Sequence, residues 1–319
     1  MSLSNEQYQA FLSNNSLNFE VATVQNLHPI TGEPVKGKFS TMRTDTQEIF
    51  DMGFSQSYRP IQNHEAFSVL QRIADERDIE IIKGGAWAGG AEVFAQIDLG
   101  DTRSITSSQD QVSKYLTVIT SHNGSAALTL ALTPFRIACA NQINMVRKAT
   151  NEDSMTRIRI SHSNKGIQIL GDLNKNLEII DNQFDFSITR YQHLAHTKLT
   201  EDQYFDVIFR SLYPQKNIEL SPRVLTGIKT LTDNVETRRL HADGGVSDVD
   251  SAWNVYNAIQ GTYQHNPQRV TQTHEKSVLI GNAARKSADV LGIIEEVIAP
   301  GYETLASKNI QRQIEAMMA

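Results

Sequence analysis

The feature that most constrains the fold of this chain is a change in apolar periodicity near Lys165. Before that point, Ile79–Gly100 alternates β-favouring residues around glycines, and the β-favouring runs 110–120 and 126–132 flank a tight SHNGS segment. This spacing predicts two β-hairpins. After Lys165, every strong apolar pattern repeats at three- and four-residue spacing, which is typical of amphipathic helices. The sequence therefore predicts an α+β fold with a β-hairpin-rich N-terminal half and a mostly helical C-terminal half.

Helix end signals sharpen this prediction in the first half of the chain. Asn63 is a favourable N-cap for a helix that follows Pro60. The segment Thr133–Ala149 also predicts a helix, because Thr-Pro suits a helix start and small apolar residues recur at helical spacing. A helix at the end of the last strand would complete a β-β-β-α-like core. The apolar face of the helix after Asn63 is expected to consist of Ala66, Phe67, Leu70 and Ile73.

The helical half carries its own local signals. Thr200 stands three residues before Gln203, which is the spacing of a capping box. Ser221 followed by Pro222 fits an N-cap with proline at the first helical position. One apolar repeat at helical spacing is interpreted as core packing, and it consists of Trp253, Tyr256 and Ile259.

The same patterns suggest how the chain divides. Residues 1–38 are polar, so we expect a flexible N-terminal arm with one short helix over Asn5–Ser13. The α+β core domain is predicted over 39–163 and the helical domain over 164–299. A C-terminal helical tail is predicted over 300–319.

Composition narrows the class of protein. The formal net charge is -6, which argues against a small basic protein that coats DNA, although a local basic face is compatible with it. Cys139 is the only cysteine, so an internal disulfide is impossible and a reducing compartment is expected. No run approaches the roughly 18 apolar residues that a membrane span needs. We predict a cytoplasmic protein with no membrane association.

Four segments, in this order, resemble a known family. They are YRPIQNHEAF at Tyr58–Phe67, SHNGSAAL at Ser121–Leu128, TPFRIACANQ at Thr133–Gln142 and SAWNVYNAIQGTYQHN at Ser251–Asn266. The resemblance is to the phage/plasmid-like domain-of-unknown-function proteins of prophages and mobile elements. It implies a phage or plasmid accessory protein that acts in the cytoplasm of a bacterial host. The predicted order of elements is also similar to the core of ring-forming single-strand annealing recombinases, which is an analogy of fold alone.

Basic residues concentrate in one part of this acidic chain. The segment from Arg136 to Lys165 contains six basic and two acidic residues, so its formal net charge is 6 − 2 = +4. Alternation along a strand places Arg157 and Arg159 on one face, where they could follow a phosphate backbone. The alternative is an ordinary solvated charged face. The predicted nucleic-acid contacts are Arg136, Arg147, Lys148, Arg157, Arg159 and Lys165, together with Tyr58, Arg59 and Lys114.

The glycine-rich segment KGGAWAGG invites a different interpretation. Glycines beside Lys83 could form a backbone nest for an anion. The spacing matches neither the P-loop nor the dinucleotide-binding pattern, and glycines within strands usually mark bulges. We therefore favour a bulged hairpin and predict no cofactor.

A Cys/His dyad is the sharpest enzyme hypothesis. His122 could activate the Cys139 thiol, with Asn123 or Asn141 orienting the imidazole. The favoured alternative makes Cys139 a small core residue and His122 part of a tight turn, in which Asn123-Gly124 supplies positive φ and Ser125 bonds locally. No metal is predicted, because the closest histidine pair, His193 and His196, has no supporting carboxylate.

These patterns favour a protein that binds single-stranded DNA and anneals complementary strands as a homo-oligomer. One alternative is an interaction factor that modulates a host or phage protein and presents an exposed apolar patch. The other alternative is a Cys/His hydrolase.

Overall fold

A computed structural model of the chain describes residues 5–77, 79, 81–107, 109–136, 141–142, 157–163, 166, 173–213, 221–241, 248–265, 272–279 and 281–304. Two compact units divide the chain. The first unit comprises Met1–Asp101, Lys114–Leu132 and Ser154–Gln183, and the second comprises Thr102–Ser113, Thr133–Asp153 and Phe184–Ala319. This grouping differs from the predicted domain bounds, because three strands each contribute residues to both units.

The N-terminal region contains a helix and an antiparallel sheet. Helix α1 (Asn5–Asn14) agrees with the predicted short helix. Strands β1 (Val21–Leu27), β2 (Pro34–Arg43) and β3 (Ile49–Phe54) pair in the order β1-β2-β3. Residues 5–38 therefore differ from the expected flexible arm. Apolar side chains at scattered positions anchor them, namely Tyr8, Leu12, Leu17, Phe19 and Val21, which are all buried.

Helix α2 (Asn63–Arg77) has Asn63 as its first residue. The Asn63 side chain bonds the Leu17 carbonyl and faces His122, so Asn63 does not act as the predicted N-cap, and the Gln62 carbonyl accepts the first bond of the helix. It has three to four apolar positions per two turns, and such a stripe is stable only when it is buried. All four residues of the predicted face are fully buried, which confirms that face: Ala66, Phe67, Leu70 and Ile73.

The second sheet has the strand order β4-β5-β6-β7-β8, with β9 paired to β7. Its strands are β4 (Ile81–Trp87), β5 (Glu92–Ser104), β6 (Gln111–Ser121), β7 (Leu128–Arg136), β8 (Asn141–Gln142) and β9 (Arg157–Ile160). The predicted hairpins are confirmed. The glycine-rich segment forms the β4–β5 hairpin, whose register shifts between Ile81 and Lys83 as expected for a bulge. Gly90 in the turn of this hairpin has a φ of 107°, which residues other than glycine rarely adopt.

The helix predicted over Thr133–Ala149 is wrong where the structure describes that segment. Residues 133–136 continue β7, and Asn141–Gln142 form β8, so the described part does not complete a β-β-β-α core. The reason lies in pairing across the sheet. Strand β9 pairs with β7 at 128–131 and β8 pairs with it at 135–136, so Pro134 lies between the two described ladders.

Helices dominate the rest of the chain, which confirms the α+β class. They are α3 (Leu173–His196), α4 (Glu201–Leu212), α5 (Pro222–His241), α6 (Ala252–Gln264), α7 (Gln272–Leu279) and α8 (Asn282–Val297). Thr200 and Gln203 form the predicted capping box at the start of α4. The packing role of the α6 repeat is also confirmed, because Trp253, Tyr256 and Ile259 are fully buried. Of the helices that the structure describes, none has the length and apolar character to cross a bilayer.

Candidate nucleic-acid interface

Three rings in the first unit form a continuous aromatic stack, defined here as Phe54, Tyr58 and His162. The Phe54 and Tyr58 ring centroids lie 4.0 Å apart, and those of Tyr58 and His162 lie 5.3 Å apart with an interplanar angle of 14°. Phe54 is the last residue of β3 and Tyr58 lies in the loop after it, while the segment after β9 supplies the third ring. The stack therefore joins two segments that are about a hundred residues apart in sequence.

Hydrogen bonds fix the histidine of the stack. The Tyr58 hydroxyl lies 2.9 Å from His162 Nδ1, and the Thr120 hydroxyl lies 3.2 Å from His162 Nε2. Burial lowers the pKa of His162 to about 4. The imidazole is therefore neutral at pH 7, so it can stack and hydrogen-bond but does not supply a positive charge to the site.

Two predicted arginines with exposed side chains lie on the segments that carry the aromatic stack. The Arg59 backbone N–H donates to the His162 carbonyl at 3.3 Å, and the Arg59 guanidinium pairs with Glu65 at 3.1 Å. Arg159 lies on β9 opposite Thr129, three residues before His162. We call Arg59 and Arg159 the exposed arginine pair. Each of them belongs to one of the two segments that the stack joins.

Arg136 does not belong to that surface. Its side chain is fully buried in the second unit, and Nε donates to Asp110 Oδ1 at 2.7 Å. The Trp253 indole N–H donates to the other Asp110 oxygen at 3.1 Å, and the Arg136 guanidinium lies 5.4 Å from the Trp253 ring centroid. Sequence reasoning placed Arg136 on a helix facing DNA. Its position in β7 instead directs it to a buried carboxylate, and a phosphate cannot reach it there.

Lys114 is corrected in the same way. Only 3% of its side chain is exposed, and Nζ pairs with Asp181 and, at 3.7 Å, with Asp101. Arg77 approaches the same Asp181 carboxylate at 3.5 Å. A lysine that is buried against two carboxylates has its charge compensated within the protein, so it is not available to a nucleic acid.

Other predicted residues lie partly or wholly outside the described part. Arg147, Lys148, Lys165 and Cys139 belong to segments that the structure does not describe. For Arg157 and Asn141 the backbone positions in β9 and β8 are described, but the side chains are not. The Cys139 dyad therefore stays a prediction, and so do these basic contacts.

His122 is a buried structural residue in the first unit. Asn63 Nδ2 donates to the Leu17 carbonyl, so Asn63 Oδ1 is the acceptor that faces His122 Nε2 at 2.9 Å. Burial, with a smaller contribution from the charge of His162, lowers the pKa of His122 to about 3. His122 Nδ1 is buried and has no hydrogen-bond partner among the described residues. This neutral tautomer suits a core position.

The residues after His122 form the turn that we expected. Gly124 has a φ of 74°, and Asn123 Oδ1 accepts a hydrogen bond from the Ser125 backbone N–H at 3.1 Å. Asn123 therefore acts as a local turn former here. Among the hydrogen bonds described for this turn, none joins the Asn123 side chain to the His122 imidazole.

Sequence reasoning missed two members of the aromatic stack. Phe54 ends a strand in a segment where no motif was assigned, and His162 follows β9 without any diagnostic spacing. The Tyr58–His162 contact spans 104 residues. Only Tyr58 was found, because it lies in a family-like segment. A contact of this range leaves no periodic signal in a single sequence.

Comparison with protein-family models assigns the chain to a family. A family model described as "Domain of unknown function (DUF932)" matches residues 53–288, a range that includes the aromatic stack and the exposed arginine pair. No curated protein and no solved structure gives a significant match. Since the matched range covers well over half of the 319 residues, the chain belongs to the DUF932 domain family.

Proposed function

We propose that this protein binds single-stranded DNA as a phage- or plasmid-type accessory protein in the bacterial cytoplasm, and that it anneals complementary strands as a homo-oligomer. The observation that carries the proposal is the aromatic stack, together with the exposed arginine pair on the two segments that the stack joins. Aromatic rings next to cations are what single-strand binding requires, because every base has a π-face and every nucleotide has a phosphate.

The chemistry of binding divides between these two groups. Arg59 and Arg159 contact phosphates, and Arg59 exchanges its pairing with Glu65 for a phosphate oxygen. Tyr58 already stacks against two rings, so an unstacked base lies against an outer ring, that of Phe54 or of His162. His162 is neutral at pH 7 and contributes a stacking face without charge.

The acidic total charge limits the size of the electrostatic contribution. A formal net charge of -6 opposes general adhesion to polyanions, so binding depends on the local arginines. A site with two phosphate contacts loses affinity with salt at a slope near −0.7 per contact for single strands. We therefore expect moderate, salt-sensitive affinity and a preference for single strands.

The experiment is fluorescence anisotropy of a labelled oligonucleotide, single-stranded and duplex, titrated at two salt concentrations. Arg159→Glu is expected to weaken single-strand binding by about tenfold and to reduce the magnitude of the salt slope by about 0.7. Arg223→Glu is the matched control, because Arg223 is exposed on α5 in the second unit and undergoes the same charge reversal. Unchanged affinity of the Arg159→Glu variant would refute this interface.

The self-association that this proposal includes is supported by exposed apolar side chains on the β1–β3 sheet. Leu27, Ile49 and Met52 are 60%, 52% and 66% exposed, and they line a groove of about 350 Å³. Strand β1, VATVQNL, is an edge strand without charge or proline. Gln62 hydrogen-bonds the backbone N–H and carbonyl of Val21, and beyond Val21 the strand carries none of the residues that usually block edge pairing. This surface fits a second copy of the chain. Light scattering of Met52→Lys against the unaltered protein tests it, since a monomer in both cases contradicts self-association there.

A further inference from the structure

The second unit contains a pocket that the proposed DNA interface does not use. It lies among α4, α5 and the residues before α6, and its volume of about 490 Å³ falls within the range of small-molecule sites. Apolar and charged groups both line it. The residues on which the argument rests are Tyr204, Phe205, Thr232, Glu236, Arg239 and Asp250.

Thr232 distinguishes this pocket from a simple surface depression. Three other threonines of α5 donate their hydroxyls to the carbonyl four residues earlier, at 2.8 to 2.9 Å, and these are Thr226, Thr230 and Thr237. Thr232 lies on the same helix, is only 4% exposed and lines the pocket. Its Oγ1 is buried and has no hydrogen-bond partner among the described residues. A buried hydroxyl without a partner is costly, so a ligand atom there would stabilise the unit.

A carboxylate lies on the same face of α5 as that hydroxyl. Glu236 stands one turn after Thr232 on α5, at the spacing that places two side chains on one face. Glu236 accepts hydrogen bonds from the Tyr204 hydroxyl at 2.6 Å and from Arg239 at 2.9 Å, and Arg239 also donates to Asp250 at 3.0 Å. Burial raises the pKa of Tyr204, so this phenol stays a neutral donor.

The charges of the lining select the sign of the ligand. The lining contains one cation, Arg239, and three carboxylates, so its formal net charge is 1 − 3 = −2. The carboxylates are those of Glu201, Glu236 and Asp250. Arg239 pairs with Glu236 and Asp250 through its two terminal nitrogens and lies 5.0 Å from the Tyr204 ring centroid, while its Nε has no hydrogen-bond partner among the described residues. Nearby Lys198 is held by Asp248 at 2.6 Å. The pocket therefore disfavours anions and favours a cation.

We propose that this pocket binds a primary ammonium group carried on an alkyl chain. An ammonium has three N–H donors and no acceptor, and the pocket offers three acceptors, namely Thr232 Oγ1 and the carboxylates of Glu236 and Asp250. The alkyl chain packs against Phe205 and Val255 in the apolar part of the lining. The group arrives either on a free diamine or on a lysine side chain. This inference does not depend on DNA binding.

The test is isothermal titration calorimetry of the full chain with three probes at equal ionic strength. The probes are 1,4-diaminobutane, N-acetyl-lysine N-methylamide and succinate, which is an anion with the same number of carbons as the diamine. We expect saturable binding of at least one amine and none of succinate. Tighter binding of the diamine assigns a free amine as the ligand, and tighter binding of the lysine derivative assigns a protein side chain.

Variants locate the binding within the pocket. Thr232→Val and Glu236→Gln are each expected to weaken amine binding by about tenfold. Thr230→Val is the matched control on the same helix, because the Thr230 hydroxyl is exposed and bonded within α5. Thermal melting checks that each variant is folded, and Thr232→Val keeps the shape of the side chain. Absence of saturable amine binding, or unchanged affinity in either pocket variant, would overturn the proposal.

Discussion

Acidification should destabilise the first unit through two histidines that fold in the neutral form. His122 has a pKa of about 3 and His162 a pKa of about 4, against an ordinary value of 6.5. Burial causes both decreases in pKa, because it penalises the charged imidazolium. Because the pKa is lowered in the folded state, the contribution of each neutral histidine to the free energy of unfolding is complete above pH 6.5. It is lost as the pH falls through 6.5 towards 4 for His162 and towards 3 for His122.

The size of the effect follows from proton linkage. At pH 5 the unfolded chain binds nearly one proton at each histidine, while the folded unit binds almost none. Relative to pH 7, each histidine then lowers the free energy of unfolding by about 2 kcal/mol, or about 4 kcal/mol for the pair. Such a loss is a large share of the 5 to 15 kcal/mol that is typical of domains.

Hydrogen exchange of β6 peptides at pH 7 and pH 5, corrected for intrinsic exchange rates, measures this free energy within the first unit. The informative comparison is between the unaltered protein and His122→Gln, because the glutamine Nε2 can still donate to Asn63. The variant should lose about 2 kcal/mol less between the two pH values. His162→Asn is the second comparison. If His122→Gln retained the full pH dependence, burial of a neutral His122 would not be its source.

Two further predictions concern the second unit. Arg136→Met leaves Asp110 as a buried charge without its guanidinium partner, so the free energy of unfolding should fall by about 3 to 5 kcal/mol, while Arg223→Met should change it little. Equal melting temperatures of the two variants would contradict this account of the buried pair. Thr200→Ala removes the α4 capping box and should cost about 1 kcal/mol in urea denaturation; a Thr197→Ala control, which removes a hydroxyl outside the box, should have a smaller effect.

Local patterns were sufficient for much of the fold. The buried face of α2, the capping box of α4 and the paired strands around the SHNGS turn could all be predicted, because each depends on residues within a few positions of one another. Periodicity also predicted that Trp253 would be a core residue. These features share one physical cause, namely that the backbone repeat determines which neighbouring side chains face the same way.

The segment from Thr133 shows where local patterns fail. Small apolar residues at three- and four-residue spacing favour a helix, yet residues 133–136 and 141–142 are strands. Residues 135–136 of β7 pair with β8 shortly after them in the chain, and residues 128–131 of the same strand pair with β9, about thirty residues further on. Pairing across a sheet overrides helix propensity, which amounts to fractions of a kcal/mol per residue.

The candidate interface shows the same division between local and long-range information. The sequence by itself determined that arginines and Tyr58 lie in family-like segments, and that the chain is a mixture of hairpins and helices. Only the tertiary structure decided which cations are exposed, since Arg59 and Arg159 reach solvent while Arg136 and Lys114 are buried against carboxylates. Whether a charge is exposed or compensated depends on residues that folding brings together from distant positions, and those contacts leave no periodic trace in the chain.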